Sequence, residues 1–93
     1  MNRKEYLLIC LIEELAEFQQ ELCKCLRFTL DDDLMGMSNF KKAQEEYSDV
    51  LAILLMLKRE GIFFEYNADH MDLKRLRVNH TMIHSENVGV LKE

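Results

Sequence analysis

The chain is 93 residues long, carries a formal charge of −5 and holds three cysteines, three glycines and no proline. Such a length allows one small domain, which buries only about 60–65% of the surface its unfolded form exposes and is marginal as a lone monomer. The acidic balance excludes a generic nucleic-acid-polymer surface, which needs a basic stripe, but not a nucleotide, because a divalent metal can bridge carboxylates to phosphate.

The remedies for a marginal core are disulfides, a metal or oligomerisation. Cys10, Cys23 and Cys25 are odd in number, and Cys23 and Cys25 point to different sides of a helix, so they do not pair locally. Reduced thiols fit a cytoplasmic protein, which leaves metal or oligomer. Glu13 and Glu14 interrupt the first apolar stretch and no small-residue cleavage site follows, so no signal peptide is expected. The longest apolar run, Val50 to Leu57, is far short of the roughly 20 residues needed to cross a bilayer. No membrane partner is expected.

Helix dominates the pattern. From about Arg3 to Phe28, Leu7, Leu11, Leu15, Phe18, Leu22 and Leu26 recur at helical steps of three and four. Leu30 to Met37, with Asp31-Asp32-Asp33 and Gly36, is the first turn. Ser38 or Asn39 caps a second helix reaching Glu60, with a stripe of Phe40, Ala43, Tyr47, Val50, Leu51, Leu54 and Leu57. Lys58 and Arg59 suit the negative end of its dipole, and Gly61 is its C′ stop. Ile62 to Tyr66 reads as an apolar connection packed over the bundle end. Asn67 or Asp69 caps a third helix through about His80, with Met71, Leu76 and Val78 inward. The tail, 81–93, is ambiguous between helix and irregular chain, and Gly89 argues against one continuous helix there. The whole chain, 1–93, is read as a single helical domain. Val50 to Leu57 is apolar on every side, which demands neighbours on every side. The expected fold class is therefore all-α, an oligomeric helical bundle with this segment at a chain–chain contact; a four-helix bundle is the expected architecture.

The chemistry lies in Glu13, Glu14 and Glu17 on the first helix and Glu46 and Asp49 on the second. Glu14 with Glu17, and Glu46 with Asp49, have the i, i+3 spacing that brings side chains together on one helix face, and both sets sit beside the apolar stripes. In an antiparallel hairpin, Glu17 lies about 16 Å and Asp49 about 15 Å from the turn, so the two helices present their carboxylates at a common level. Glu21 and Glu46 also fall roughly level. Unpaired anions gathered in one cleft protonate or push their helices apart. A hard divalent cation with oxygen ligands, Mg²⁺ foremost, resolves this and recruits substrate phosphates. The other reading of the same residues is the solvated face of an acidic protein. Periodicity alone leaves the two open.

Glu13-Glu14-x-x-Glu17, followed after 28 residues by Glu46-x-x-Asp49, resembles the EExxE…ExxD signature of the MazG-type all-α nucleoside triphosphate pyrophosphohydrolases. The segments LIEELAEFQQEL and EEYSDVLAILLML are similar to that family's two central helices, and the likeness runs roughly from Leu7 to Leu57. The resemblance implies Mg²⁺-dependent hydrolysis of a (deoxy)nucleoside triphosphate substrate to monophosphate and pyrophosphate by a homodimer or homotetramer. Carried over by position, it makes Glu14, Glu17, Glu46 and Asp49 the metal ligands, with Glu17 also catalytic. Glu13 would orient water or assist a second metal. Lys24-Cys25-Leu26-Arg27-Phe28 is similar to a stretch in small stand-alone members, which implies phosphate contacts at Lys24 and Arg27; equally, these cations balance local glutamates. Lys74 and Arg77, one turn apart on the third helix, are candidates to reach phosphate from a neighbouring subunit. Little precedes the first motif helix, so the helix that often covers the family's base pocket is short or missing, which makes a partner chain more necessary.

Two further readings stay beside this one: the related phosphoribosyl-ATP pyrophosphohydrolase, and a non-catalytic helical assembly or adaptor module. Other signals are set aside. Asp31-x-Asp33-x-x-Gly36 lacks a calcium loop's oxygen donors at Met35 and Lys42. His80 and His84 share a face but lack a zincin's glutamate. No glutamate has a histidine three residues later, as a di-iron bundle requires. None of the cysteines has the surroundings of an activated thiolate.

Overall fold

The computed structural model of the chain describes residues 1–31 and 37–92, so most of the first turn (32–36) lies outside the described residues. The described residues are all-α: three helices, not four. Helix α1 spans Arg3–Phe28. The Asn2 side chain caps it by accepting the Glu5 N–H at 2.8 Å, and Glu5 and Arg27 lie at the ends where the helix dipole favours their charges. Helix α2 spans Asn39–Arg59, and Ser38 Oγ accepts the Lys41 N–H at 3.2 Å. Its end is a Schellman motif: Gly61, at φ +92°, lets its own N–H reach the Lys58 carbonyl and the Ile62 N–H reach that of Leu57.

Helix α3 spans Ala68–Asn87, capped by Asn67, and so runs well past the expected end near His80. The reason is at its other end. Gly89, at φ +81°, sends its N–H to Glu86 and lets the Val90 N–H reach Ser85, the same closure that ends α2. The glycine is the helix's own stop signal, not a break within an irregular tail.

Helices α1 and α2 form an antiparallel hairpin. Arg3 pairs with Glu60 at one end, and the Phe18 and Tyr47 rings sit 6.0 Å apart midway. At the turn end the Asn39 amide donates to the Thr29 carbonyl at 2.9 Å, beside a Phe40 N–H to Leu30 carbonyl bond. Thr29 has φ +83°, a conformation that β-branched residues rarely adopt, and the buried Asn39 side chain is bonded to it. The buried apolar core is Leu7, Ala43, Val50 and Leu57, with Leu57 wholly enclosed. Leu11, Phe18 and Leu54 are half-buried. Leu15, Leu22, Leu26, Phe40, Tyr47 and Leu51, expected in the stripes, are exposed. Two helices in contact bury one narrow line each, and the remaining width of each stripe has no cover.

Helix α3 packs on neither α1 nor α2. Met71, Leu76 and Val78, expected inward, are exposed. Met71 and Val78 share one side of the helix while Leu76 lies about 140° around it, so no single apolar face exists to dock. Phe63, Phe64 and Tyr66 are likewise exposed, not laid over the hairpin end, although the Lys58 ammonium sits 4.5 Å over the Phe63 ring. The radius of gyration is 17.1 Å, against about 12 Å for a compact domain of this length. No helix among the described residues is long and apolar enough to cross a membrane.

Asn39→Ala leaves the Thr29 carbonyl without its partner. It should cost about 1–3 kcal/mol in urea unfolding with the far-UV helical signal of the native state retained.

Candidate functional site

The hairpin sets one carboxylate line against another. Glu14 and Glu17 stand one turn apart on α1, and Glu46 faces them from α2. One oxygen from each lies within 4.8 Å of the others. The level differs from the sequence expectation by about one turn: Glu17 meets Glu46, where Glu17 with Asp49 and Glu21 with Glu46 were expected. In this register Arg3 meets Glu60 at one end of the hairpin and Asn39 meets Thr29 at the other. Asp49 stands outside the close group, yet its charge acts on both Glu14 and Glu46.

Glu14 and Glu46 are half-buried and Glu17 is exposed. Glu14 Oε2 and Glu46 Oε2 are both shut off from solvent and have no hydrogen-bond partner. The electrostatics follow from that placement. Burial, then the Glu17 charge and a hydrogen bond with Glu17, then Asp49 and Glu14, push the Glu46 carboxyl up to about 7. Burial and the charges of Glu17 and Asp49 also raise Glu14, while a hydrogen bond with Glu46 opposes the shift. Near neutral pH the cluster thus tends to keep a proton on Glu46. Its donor set consists of carboxylate oxygens alone, two of them unsatisfied. That chemistry fits a hard divalent cation such as Mg²⁺.

The remaining sequence candidates are more scattered. Glu13 is exposed on α1. The Lys24 ammonium is held by Glu21 at 3.1 Å, the charge-balancing arrangement, and the second Glu21 oxygen is buried without a partner. Arg27 is exposed, its guanidinium 5.6 Å from the Phe28 ring centroid. Lys24 and Arg27 line a shallow trough along α1 with Gln19, Gln20 and Cys23. Lys74 and Arg77 are exposed on α3, which does not touch the hairpin, so one chain does not bring them to the carboxylates. Sequence reading missed the buried role of Asn39, although an asparagine at a helix start, opposite the end of the preceding helix, is the type of residue that can join the two.

The chain matches no protein-family model, no curated protein and no solved structure.

A carboxyl raised in the folded state binds its proton more tightly there than in the unfolded chain. Its stabilising effect is full below about pH 4.5 and is lost as pH rises through about 7. With divalent cations chelated, the protein should therefore lose stability between pH 5 and pH 8. Urea unfolding across that range should show the slope in the native protein and a flatter one in Glu46→Gln.

Proposed function

We propose that this chain is a Mg²⁺-dependent nucleoside triphosphate pyrophosphohydrolase that acts as a homo-oligomer. The observation that supports it most is the convergence of Glu14, Glu17 and Glu46 from two helices, with two buried oxygens left unpaired. A solvated acidic face has no reason to bring like charges so close or to withdraw them from water. The resemblance of Glu13-Glu14-x-x-Glu17 and Glu46-x-x-Asp49 to the MazG-type signature supplies the reaction class.

In this reading Glu14, Glu17 and Glu46 hold the cation and Asp49 adds charge beside it. The ion, when bound, polarises a phosphoryl oxygen and lowers the pKa of water. Glu17, the exposed member of the group, faces solvent and accepts the proton of the attacking water, with Glu13 beside it orienting that water. The water oxygen bonds to the α phosphorus, the bond from that phosphorus to the bridging oxygen breaks, and monophosphate and pyrophosphate leave. Lys24 lies seven residues along α1 from Glu17, about 10 Å. It would exchange its Glu21 contact for phosphate, with Arg27 one turn beyond. Lys74 and Arg77 act only if a neighbouring chain supplies them. The free cysteines suit a reducing, cytoplasmic setting.

A second reading, a helical assembly module without catalysis, is favoured by the large apolar side chains left uncovered on all three helices. Magnesium separates the two. With Mg²⁺ and a non-hydrolysable triphosphate, the enzyme's melting temperature should rise by several degrees, since binding to the native state alone adds about 2–4 kcal/mol at saturating ligand. The assembly module should show no rise. Glu17→Gln and Asp49→Asn should each abolish pyrophosphate release while the helical signal persists. Full activity in both would remove the site.

A further inference from the structure

The flank that carries the carboxylates reads as a ladder. Glu17 meets Glu46 across the two helices, and in an antiparallel pair each step along α1 is matched by an equal step back along α2. Toward the open end of the hairpin the next rungs are Glu14 with Asp49 and Cys10 with Ile53. Toward the turn they are Glu21 with Lys42 and Lys24 with Asn39. The same count sets Arg3 opposite Glu60, the pair that closes the far end. At about 100° per residue, Lys42 falls between Glu46 and Asp49 around α2, on the acidic side of the Ala43–Val50–Leu57 line. Lys41 falls on the opposite face and is exposed.

Charge changes sign along this ladder within one turn, about 6 Å. On the open-end side Cys10 and Ile53 carry none, and Arg3 and Glu60 beyond them neutralise each other. On the turn side stand two cations. Lys24 is held by Glu21 at 3.1 Å. Lys42 is half-buried and, among the described residues, belongs to no ion pair. Glu46 lies one turn along the same helix, and Glu21 stands level with Lys42 with one oxygen buried and unpaired, yet neither holds the ammonium. The first turn of α2, where the helix dipole favours anions, contains Lys41 and Lys42 and no acidic residue. The turn end of the flank is thus a place of positive potential beside a cluster of negative charge.

We propose that Lys42 seats the outer two phosphates of the substrate, which lies along the ladder with its nucleoside toward Cys10 and Ile53. The substrate's identity rests on the hydrolase reading above; the anion seat rests on where Lys42 stands. A divalent ion leaves the four carboxylates of the two acidic rungs still negative in sum. A triphosphate therefore stays beside them only if a cation outside the cluster offsets its own charge. Lys42 does so without first giving up a partner, and the open end of the flank has no free cation to offer among the described residues. Its ammonium is a compact point charge on a flexible stem, suited to the spread charge of a diphosphate. The seat gives the substrate one direction along the flank.

The test is calorimetric titration of inorganic pyrophosphate into the full-length protein with Mg²⁺ present, in native, Lys42→Met and Lys41→Met forms. Native protein should bind pyrophosphate, and Lys42→Met should bind it about tenfold more weakly or worse. Lys41→Met removes the same charge one residue away on the opposite face, and its affinity should stay within about twofold of native. Adenosine monophosphate, which lacks the outer phosphates, should bind native and Lys42→Met alike. Four results would overturn the seat: no pyrophosphate binding by native protein, equal losses in the two lysine variants, undiminished affinity in Lys42→Met, or an equal loss for the monophosphate. Undiminished affinity with a lowered melting temperature would make Lys42 a mere counter-charge for Glu21. The hydrolase reading fails separately. Pyrophosphate binding that needs Lys42, in a protein that cleaves no triphosphate, keeps the seat and removes the reaction; cleavage with pyrophosphate affinity indifferent to Lys42 does the reverse.

Discussion

Two opposed forces share the same two helices. The line of Leu7, Ala43, Val50 and Leu57 draws α1 and α2 together, and that approach forces Glu14, Glu17 and Glu46 to within 4.8 Å of one another. Apolar contact and like-charge repulsion cannot both be relaxed without breaking the hairpin. Burial and the neighbouring carboxylates push the Glu46 carboxyl up to about 7, so a proton there relieves part of the repulsion. A bound cation would relieve it without protons, and that exchange of proton for metal is the physical centre of the functional account.

The buried line sets the register of the hairpin, and contacts at its ends agree with it. Arg3 with Glu60 and Asn39 with Thr29 tie the two helices at opposite extremities, and the carboxylates fall where that register puts them. A slip of one turn would move Glu46 from Glu17 toward Glu21, whose other oxygen is already occupied by Lys24. The acid site is therefore a consequence of how the apolar line packs the two helices. Its opposite flank, apolar and uncovered, reflects the same geometry: two helices alone cannot bury stripes as wide as these.

Much of this could be read from the residues in order. The bounds of α1 and α2, the Ser38 cap and the Gly61 stop follow from local signals, each acting within one turn of its own position. The carboxylates that face each other were also legible, because i, i+3 spacing beside an apolar line is a local property. Register was not. It depends on how the apolar line packs the two helices, and counting residues from a turn leaves an error of about one turn. Helix α3 defeated the reading for a different reason. Its apolar residues lie on more than one side, and Gly89 reads equally as a helix stop or as a break in an irregular tail, so the end at Asn87 was missed although the start at Asn67 was not. Burial of Met71, Leu76 and Val78 was inferred from composition, whereas burial belongs to whatever packs against them.

The central claim is that these carboxylates trade protons for a divalent cation. Calorimetric titration of Mg²⁺ into the protein at pH 7, in buffers of different ionisation enthalpy, measures that trade directly. The account predicts saturable binding with release of a fraction of a proton per ion, and loss of both in Glu46→Gln. Binding that is absent, or equally strong in Glu46→Gln with no proton released in either protein, would contradict it.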